Sequence, residues 1–162
     1  MLSIRYTSTA DIPLIRELTF KVWPQTYADI ISKEQIEYML EMMYSEASLQ
    51  KQMNDGCRFI IVNDGVEAVG FASFQEIEPT VFKLHKIYVL FSQQGKGTGR
   101  FLINYIINEI QKEKATALEL QVNRTNKAKN FYEKLGFIVI EEKDFDIGNG
   151  YLMQDYIMAK KL

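Results

Sequence analysis

The 162-residue chain is poor in the residues that metal and redox chemistry draw on, with one cysteine, Cys57, and one histidine, His85. A lone cysteine closes no internal disulfide, and one Cys with one His cannot assemble a zinc site, so no metal is expected. Nor does Cys57 read as a nucleophile, because it opens Cys57-Arg58-Phe59-Ile60-Ile61-Val62, which has the pattern of a buried strand. A basic excess is also missing: Lys and Arg total 19 against 21 Asp and Glu, a net charge of -2. That balance argues against a nucleic-acid partner, which asks for a basic surface. No stretch approaches the roughly 18 consecutive apolar residues of a membrane span. Met1-Leu2-Ser3-Ile4-Arg5 lacks the charged-then-apolar form of a leader, and a cytoplasmic location is expected. Proline is scarce, with three in all, and no linker-like segment or repeat interrupts the chain. With 47% hydrophobic and 12% aromatic residues, the expectation is one packed domain over residues 1–162.

The hydrophobic period supplies the elements. Residues 2–6 read as a short strand, and Ile12, Ile15, Leu18 and Val22 then recur at helical spacing, with Pro13 tolerated in the first turn. Ser32-Lys33-Glu34-Gln35 has the form of a capping box before the stripe Ile36, Met39, Leu40, Met43, and Ser45 caps a third, short helix. Strands follow at residues 57–63 and 66–75 around the Asp64-Gly65 turn, then at 81–90. Phe101, Leu102, Tyr105, Ile106 and Ile110 form an amphipathic helix, and Leu118, Leu120 and Val122 alternate with Glu119 and Gln121 as a strand. Residues 126–135 make a helix with Ala128, Phe131 and Leu135 inward, ended by Gly136. Two strands, 137–141 and 151–160, complete an α/β domain.

Between the strand at 81–90 and the amphipathic helix lies Gln94-Gly95-Lys96-Gly97-Thr98-Gly99-Arg100. Glycines this dense at a helix start let successive N–H groups converge on an anion, and the helix dipole favours negative charge there. The segment reads as a phosphate or pyrophosphate cradle. It is not a P-loop, because Gly97 stands where the magnesium-binding hydroxyl belongs, and the third glycine comes one residue too early for a dinucleotide fingerprint.

Ile87-Tyr88-Val89 followed by Gln94-Gly95-Lys96-Gly97-Thr98-Gly99 is similar to the Q/R-x-x-G-x-G/A motif of the GNAT superfamily of acyl-CoA-dependent N-acyltransferases. Asn126-Lys127-Ala128-Lys129-Asn130-Phe131-Tyr132-Glu133-Lys134-Leu135-Gly136-Phe137 resembles a second signature of the same family, in the same order and at the same spacing. The strong resemblance covers residues 81–138. A narrower likeness, carried by Tyr27, residues 36–43 and Lys86-Ile87-Tyr88-Val89, is to a bacterial branch that includes spermidine acetyltransferases.

The resemblance implies a GNAT-like fold: a mixed central sheet with flanking helices, in which two parallel strands, here 83–90 and 117–122, splay apart. It implies acetyl-CoA as cosubstrate. Backbone N–H groups from Gln94 through Gly95, Lys96, Gly97, Thr98 and Gly99 would hold the pyrophosphate, with Lys96 and Arg100 adding charge. The main chain of Ile87, Tyr88 and Val89 would pair with the pantetheine arm as an added strand, and Asn126 and Lys129 would line the same cofactor. Tyr132 matches the family's general acid, here chiefly a hydrogen-bond donor to the leaving sulfur.

The base is a departure. By the resemblance, many relatives use a glutamate on the strand before the cradle, where this chain has Lys83, His85 and Lys86. An alkylammonium of pKa about 10.4 is neutral in roughly one molecule in two thousand at pH 7, so a base is needed. His85 is the candidate, with Glu76 and Glu78 as rivals. From residue 30 to 55, five acids (Glu34, Glu37, Glu41, Glu46 and Asp55) face Lys33 and Lys51, and Trp23, Tyr27 and Tyr38 are available to enclose a cation or to build core. The expected reaction is acetyl transfer to a polyamine or other small primary amine by direct attack. A protein or peptide N-acetyltransferase and a non-catalytic acyl-CoA sensor stand as alternatives. The apolar last strand, residues 151–157, is expected either to pair across a two-fold in a homodimer or simply to close the sheet.

Overall fold

A computed structural model describes residues 1–162. The elements are β1 (Leu2–Tyr6), α1 (Ile12–Tyr27), α2 (Lys33–Tyr44), α3 (Glu46–Asn54), β2 (Arg58–Asp64), β3 (Glu67–Glu78), β4 (Val81–Val89), α4 (Thr98–Gln111), β5 (Ala117–Asn123), α5 (Ala128–Lys134), β6 (Ile138–Gly148) and β7 (Tyr151–Lys161). The seven strands form one mixed sheet in the order β1-β2-β3-β4-β5-β7-β6, the α/β architecture expected. No helix is long and apolar enough to cross a membrane.

The chain divides into two compact units. The first comprises Met1–Gln75 and Lys86–Tyr105. Its helices start where hydroxyls can cap them: Ser32 accepts the Gln35 amide at 3.1 Å and Ser45 accepts the Ser48 amide at 3.2 Å, each relieving an orphaned first-turn donor. Ser8 and Asp11 do the same reciprocally ahead of α1. The apolar faces that these caps set in place are buried, with Ile15, Leu18, Val22 and Trp23 of α1 and Leu49 of α3 joining the run Phe59, Ile60, Ile61, Val62 of β2. Burial of β2 on both faces explains its unbroken apolar sequence.

The second unit comprises Glu76–His85 and Ile106–Leu162. Phe82 and Leu84 of β4 lie opposite Leu118 and Leu120 of β5 in a parallel register, and all four are buried. That ladder runs from Val81 opposite Ala117 to Leu84 opposite Leu120, so β4 and β5 both continue beyond their paired stretch. Antiparallel pairing of β5 with β7 extends to Asn123 opposite Asp155.

Three expectations are corrected. β6 reaches Gly148, well past residue 141, because Asn149 (φ 56°) and Gly150 (φ 78°) turn the chain into β7; left-handed Asn-Gly is a strong hairpin signal. β7 is flanked by β5 and β6, so it has no free edge for pairing across a two-fold. On α5 the buried side chain is Tyr132, while Ala128, Phe131 and Leu135 are half-buried.

Candidate active site

In the first unit the glycine turn has the backbone that its sequence requires. Gly95 and Gly97 sit at φ 80° and 81°, a region that costs other residues about 1–2 kcal/mol. No atom lies within 4 Å of where a Cβ would stand on either glycine, so the space over the turn is open. Gln94, Gly95, Lys96, Gly97 and Arg100 are exposed. Thr98, the first residue of α4, is buried and anchors the turn from below. Its hydroxyl donates to Gln93 Oε1 at 3.1 Å, and Gln93 Nε2 donates to Asp64 Oδ2 at 3.2 Å. The Met1 ammonium and Gln93 together hold the Asp64 carboxyl below its ordinary value. Gln93 is the residue that sequence reasoning missed, since a buried glutamine one position before the motif leaves no periodic trace. The amides in the first turn of α4 lack intrahelical acceptors, and with Lys96 and Arg100 alongside they fit a phosphate group.

Tyr88 of β4 belongs to the same unit and is committed on two sides. Its carbonyl oxygen lies 2.7 Å from the position a Cβ would take on Gly70 of β3, and its hydroxyl is 3.0 Å from that of Tyr27. Trp23 packs on the rings of Tyr27, Tyr44 and Tyr88 at 4.4, 5.5 and 6.0 Å. Burial raises the Tyr44 hydroxyl pKa, and the Lys86 ammonium stands 4.6 Å over its ring. Trp23 is therefore core. Ile87 and Val89 are half-buried beside Tyr88. Glu34, Glu37, Glu41, Glu46 and Asp55 all lie exposed on their helices or caps, with Asp55 paired to Lys51 at 2.6 Å and Glu46 to Arg16 at 3.7 Å.

In the second unit, Tyr132 owes its position to the end of α5. Gly136, at φ 95°, closes a Schellman motif in which the Phe137 amide donates to the Tyr132 carbonyl at 3.1 Å and the Gly136 amide to Glu133 at 3.0 Å. The accompanying apolar contact is the Tyr132–Phe137 ring pair at 5.9 Å. Lys160 of β7 adds a bond to the Leu135 carbonyl at 2.6 Å. At the other end of the helix, Asn126 Oδ1 accepts the Ala128 amide at 2.9 Å. Lys129 pairs with Glu133 at 3.2 Å and lies over the Tyr156 ring. His85 is exposed on β4; Glu76 accepts the Thr80 amide in the hairpin turn, and Glu78 is exposed.

One carboxylate in this unit had no sequence signal. Asp155 on β7 is 3% exposed, and burial pushes its pKa up to about 6 although Arg124 and Lys83 pull it down.

Comparison with known proteins adds to this geometry. A family model described as an acetyltransferase (GNAT) domain matches residues 27–160. Over 88 residues the chain is 32% identical to the [ribosomal protein bS18]-alanine N-acetyltransferase of Haemophilus influenzae; the match covers 52% of this chain and 58% of that protein. The chain thus spans under two thirds of that curated relative. Among solved structures, PaiA N-acetyltransferase from Thermoplasma acidophilum in complex with coenzyme A superposes with a TM-score of 0.84 at 26% identity, covering 100% of this chain and 99% of that one. The ribosomal-protein-S18-alanine N-acetyltransferase of Escherichia coli gives a TM-score of 0.75 at 21% identity, covering 99% and 94%, which speaks to the fold alone.

Proposed function

The chain belongs to the GNAT acetyltransferase family, and from that premise we propose that it moves the acetyl group of acetyl-CoA onto an amine carried by a protein or peptide, with an N-terminal α-amine as the favoured acceptor. The observation that carries this reading is the stretch shared with the bS18-alanine N-acetyltransferase. Against a free polyamine stands the pairing of two of the five acids between residues 30 and 55, Asp55 with Lys51 and Glu46 with Arg16. The chemistry agrees. An α-ammonium of pKa near 7.8 is already neutral in roughly one molecule in seven at pH 7, a penalty of about 1 kcal/mol, against about 4.6 kcal/mol for an alkylammonium. A chain without the strand glutamate that many members of the family use suits the easier acceptor. Modification of ribosomal or newly made polypeptide would place it in the cytoplasm.

Acetyl-CoA supplies an activated acyl group on a thiol leaving group. The open turn at Gly95 and Gly97, the first amides of α4, Lys96 and Arg100 would bind its phosphates, while Ile87, Tyr88 and Val89 offer strand backbone for its arm. Asn126 and Lys129 would border the cofactor from α5. Tyr132 would donate a hydrogen bond to the departing sulfur. Tyrosine is a weaker acid than a thiol by about 1.5 pKa units, so it would share its proton more than surrender it. His85, exposed on β4, is a candidate for managing the amine proton.

The test is acetyl-CoA-dependent thiol release by the purified protein with short peptides bearing a free N-terminal alanine, spermidine, spermine, small diamines and a no-amine control. Saturable release with the peptides and background rates with the polyamines is expected. Saturable release with a polyamine alone would reject the protein acceptor, and coenzyme A binding without turnover on any amine would favour a sensor.

A further inference from the structure

β7 places a carboxylate where the sequence offered none. Asp155 lies opposite Asn123 at the end of β5 on one side and opposite Lys143 of β6 on the other. It keeps 3% of its surface open. Burial of its carboxylate is opposed only by the charges of Arg124 and Lys83 and by no hydrogen bond, while the surrounding polar groups are engaged elsewhere. The Lys83 ammonium of β4 donates to Gln121 of β5. Arg124 donates to Glu142 at 2.6 Å and also to Asp144, and the Lys143 ammonium sits over the Phe145 ring at 5.2 Å. Two cations, Lys83 and Arg124, thus act on one buried carboxylate through their charge without hydrogen-bonding it. Buried carboxylates are ordinarily hydrogen-bonded, so an unsaturated one calls for an explanation.

The place is informative. The parallel ladder of β4 and β5 ends at Leu84 opposite Leu120, and Asp155 is held across from Asn123, three positions farther along β5. It therefore flanks the stretch in which β5 has run beyond its pairing with β4. We propose that Asp155 is the group that takes the proton from the acceptor ammonium, directly or through one water, before the amine attacks. This rests on the acetyl-transfer reading above.

Atoms and protons balance. Asp155 receives one proton from the ammonium, so a carboxylate and an ammonium become a carboxylic acid and a free amine. The amine lone pair then forms the C–N bond as the C–S bond of the thioester breaks. The nitrogen's second surplus proton ends on the thiol, and Asp155 returns the first to solvent. The sum is one amide, one thiol and one proton. An elevated proton affinity favours this transfer. Against an α-ammonium near 7.8, an ordinary carboxyl would hold the proton in about one pair in ten thousand, and one near 6 in roughly one in sixty.

The experiment is the pH dependence of kcat with a saturating alanine peptide, for the wild type, Asp155→Asn, His85→Gln and Lys83→Met. Wild-type turnover tests the acetyl-transfer reading by itself, and no turnover overturns both. Given turnover, Asp155→Asn should lower kcat on the order of a hundredfold, leave the KM for acetyl-CoA unchanged and remove the acid limb. His85→Gln should keep that limb. Lys83→Met, which leaves the carboxylate in place and removes a neighbouring cation, should move the limb to higher pH. An acid limb that persists in Asp155→Asn, is lost in His85→Gln, or stays fixed in Lys83→Met overturns the assignment.

Discussion

Tyr132 and Asp155 are both buried polar residues, and opposite forces hold them. Tyr132 is fixed by favourable contacts: the Schellman turn behind it, the Phe137 ring and the Phe131 ring at 5.4 Å. Tyr132→Phe keeps the ring and its packing, so thermal stability should change little while kcat falls roughly tenfold without vanishing, the size expected for one charge-assisted hydrogen bond. Steady-state kinetics with an unchanged kcat would remove Tyr132 from the chemistry. Asp155 is held against its own preference for water. Its folded pKa of about 6 exceeds the ordinary 3.8 of an unfolded chain, so between those values the folded state binds more protons. Its contribution to stability is greatest below pH 4 and declines as pH rises through 6, by up to about 3 kcal/mol. Asp155→Asn should therefore melt higher than the wild type at pH 8, and the difference should shrink towards pH 4. A variant less stable at pH 8 would mean that the charge is stabilising there. Neither burial was legible in the sequence: Phe131 competes with Tyr132 for the inward face of a short helix, and Asp155 is a lone acid in an apolar strand.

The glycine turn and the β3–β4 hairpin show two different uses of a missing Cβ. At Gly97 the requirement is conformational, since the position is left-handed and the space around it is open. Gly97→Ala should cost about 1–2 kcal/mol in stability and raise the KM for acetyl-CoA several-fold, with the peptide KM unchanged. Equal rises in both would contradict a role in cofactor binding. Gly70 is a matter of space. A Cβ there would meet the Tyr88 carbonyl oxygen at 2.7 Å and the Val89 Cα at 3.2 Å, and backbone of a paired strand cannot yield. Gly70→Ala should destabilise by about 2 kcal/mol or more, read as a lowered midpoint in urea. A wild-type midpoint would mean that β4 is free to shift. Gly95, Gly97 and Gly136 were legible because each punctuates a helix end, where the chain needs a left-handed residue. Gly70 was not, because a glycine inside a strand looks the same whether it relieves a clash or merely fills a position.

For the whole molecule, the order of strands and helices and the family could be read from the chain, because both signatures are local runs in which backbone need dictates residue type. The acceptor could not be read. Amine recognition is assembled from side chains far apart in sequence, and the five acids counted between residues 30 and 55 proved to be solvated helix faces. The length of β6 was also under-read, although Asn149-Gly150 marks the hairpin. With β7 enclosed by β5 and β6, any strand-to-strand association of two copies would have to use an outer strand. The most direct measurement is mass spectrometry of an alanine-first peptide carrying an internal lysine, after incubation with the protein and acetyl-CoA and in competition with spermidine. Acetylation of the peptide's α-amine, with spermidine unmodified, is the expected result. Acetyl-spermidine with an untouched peptide would contradict the protein-acceptor assignment.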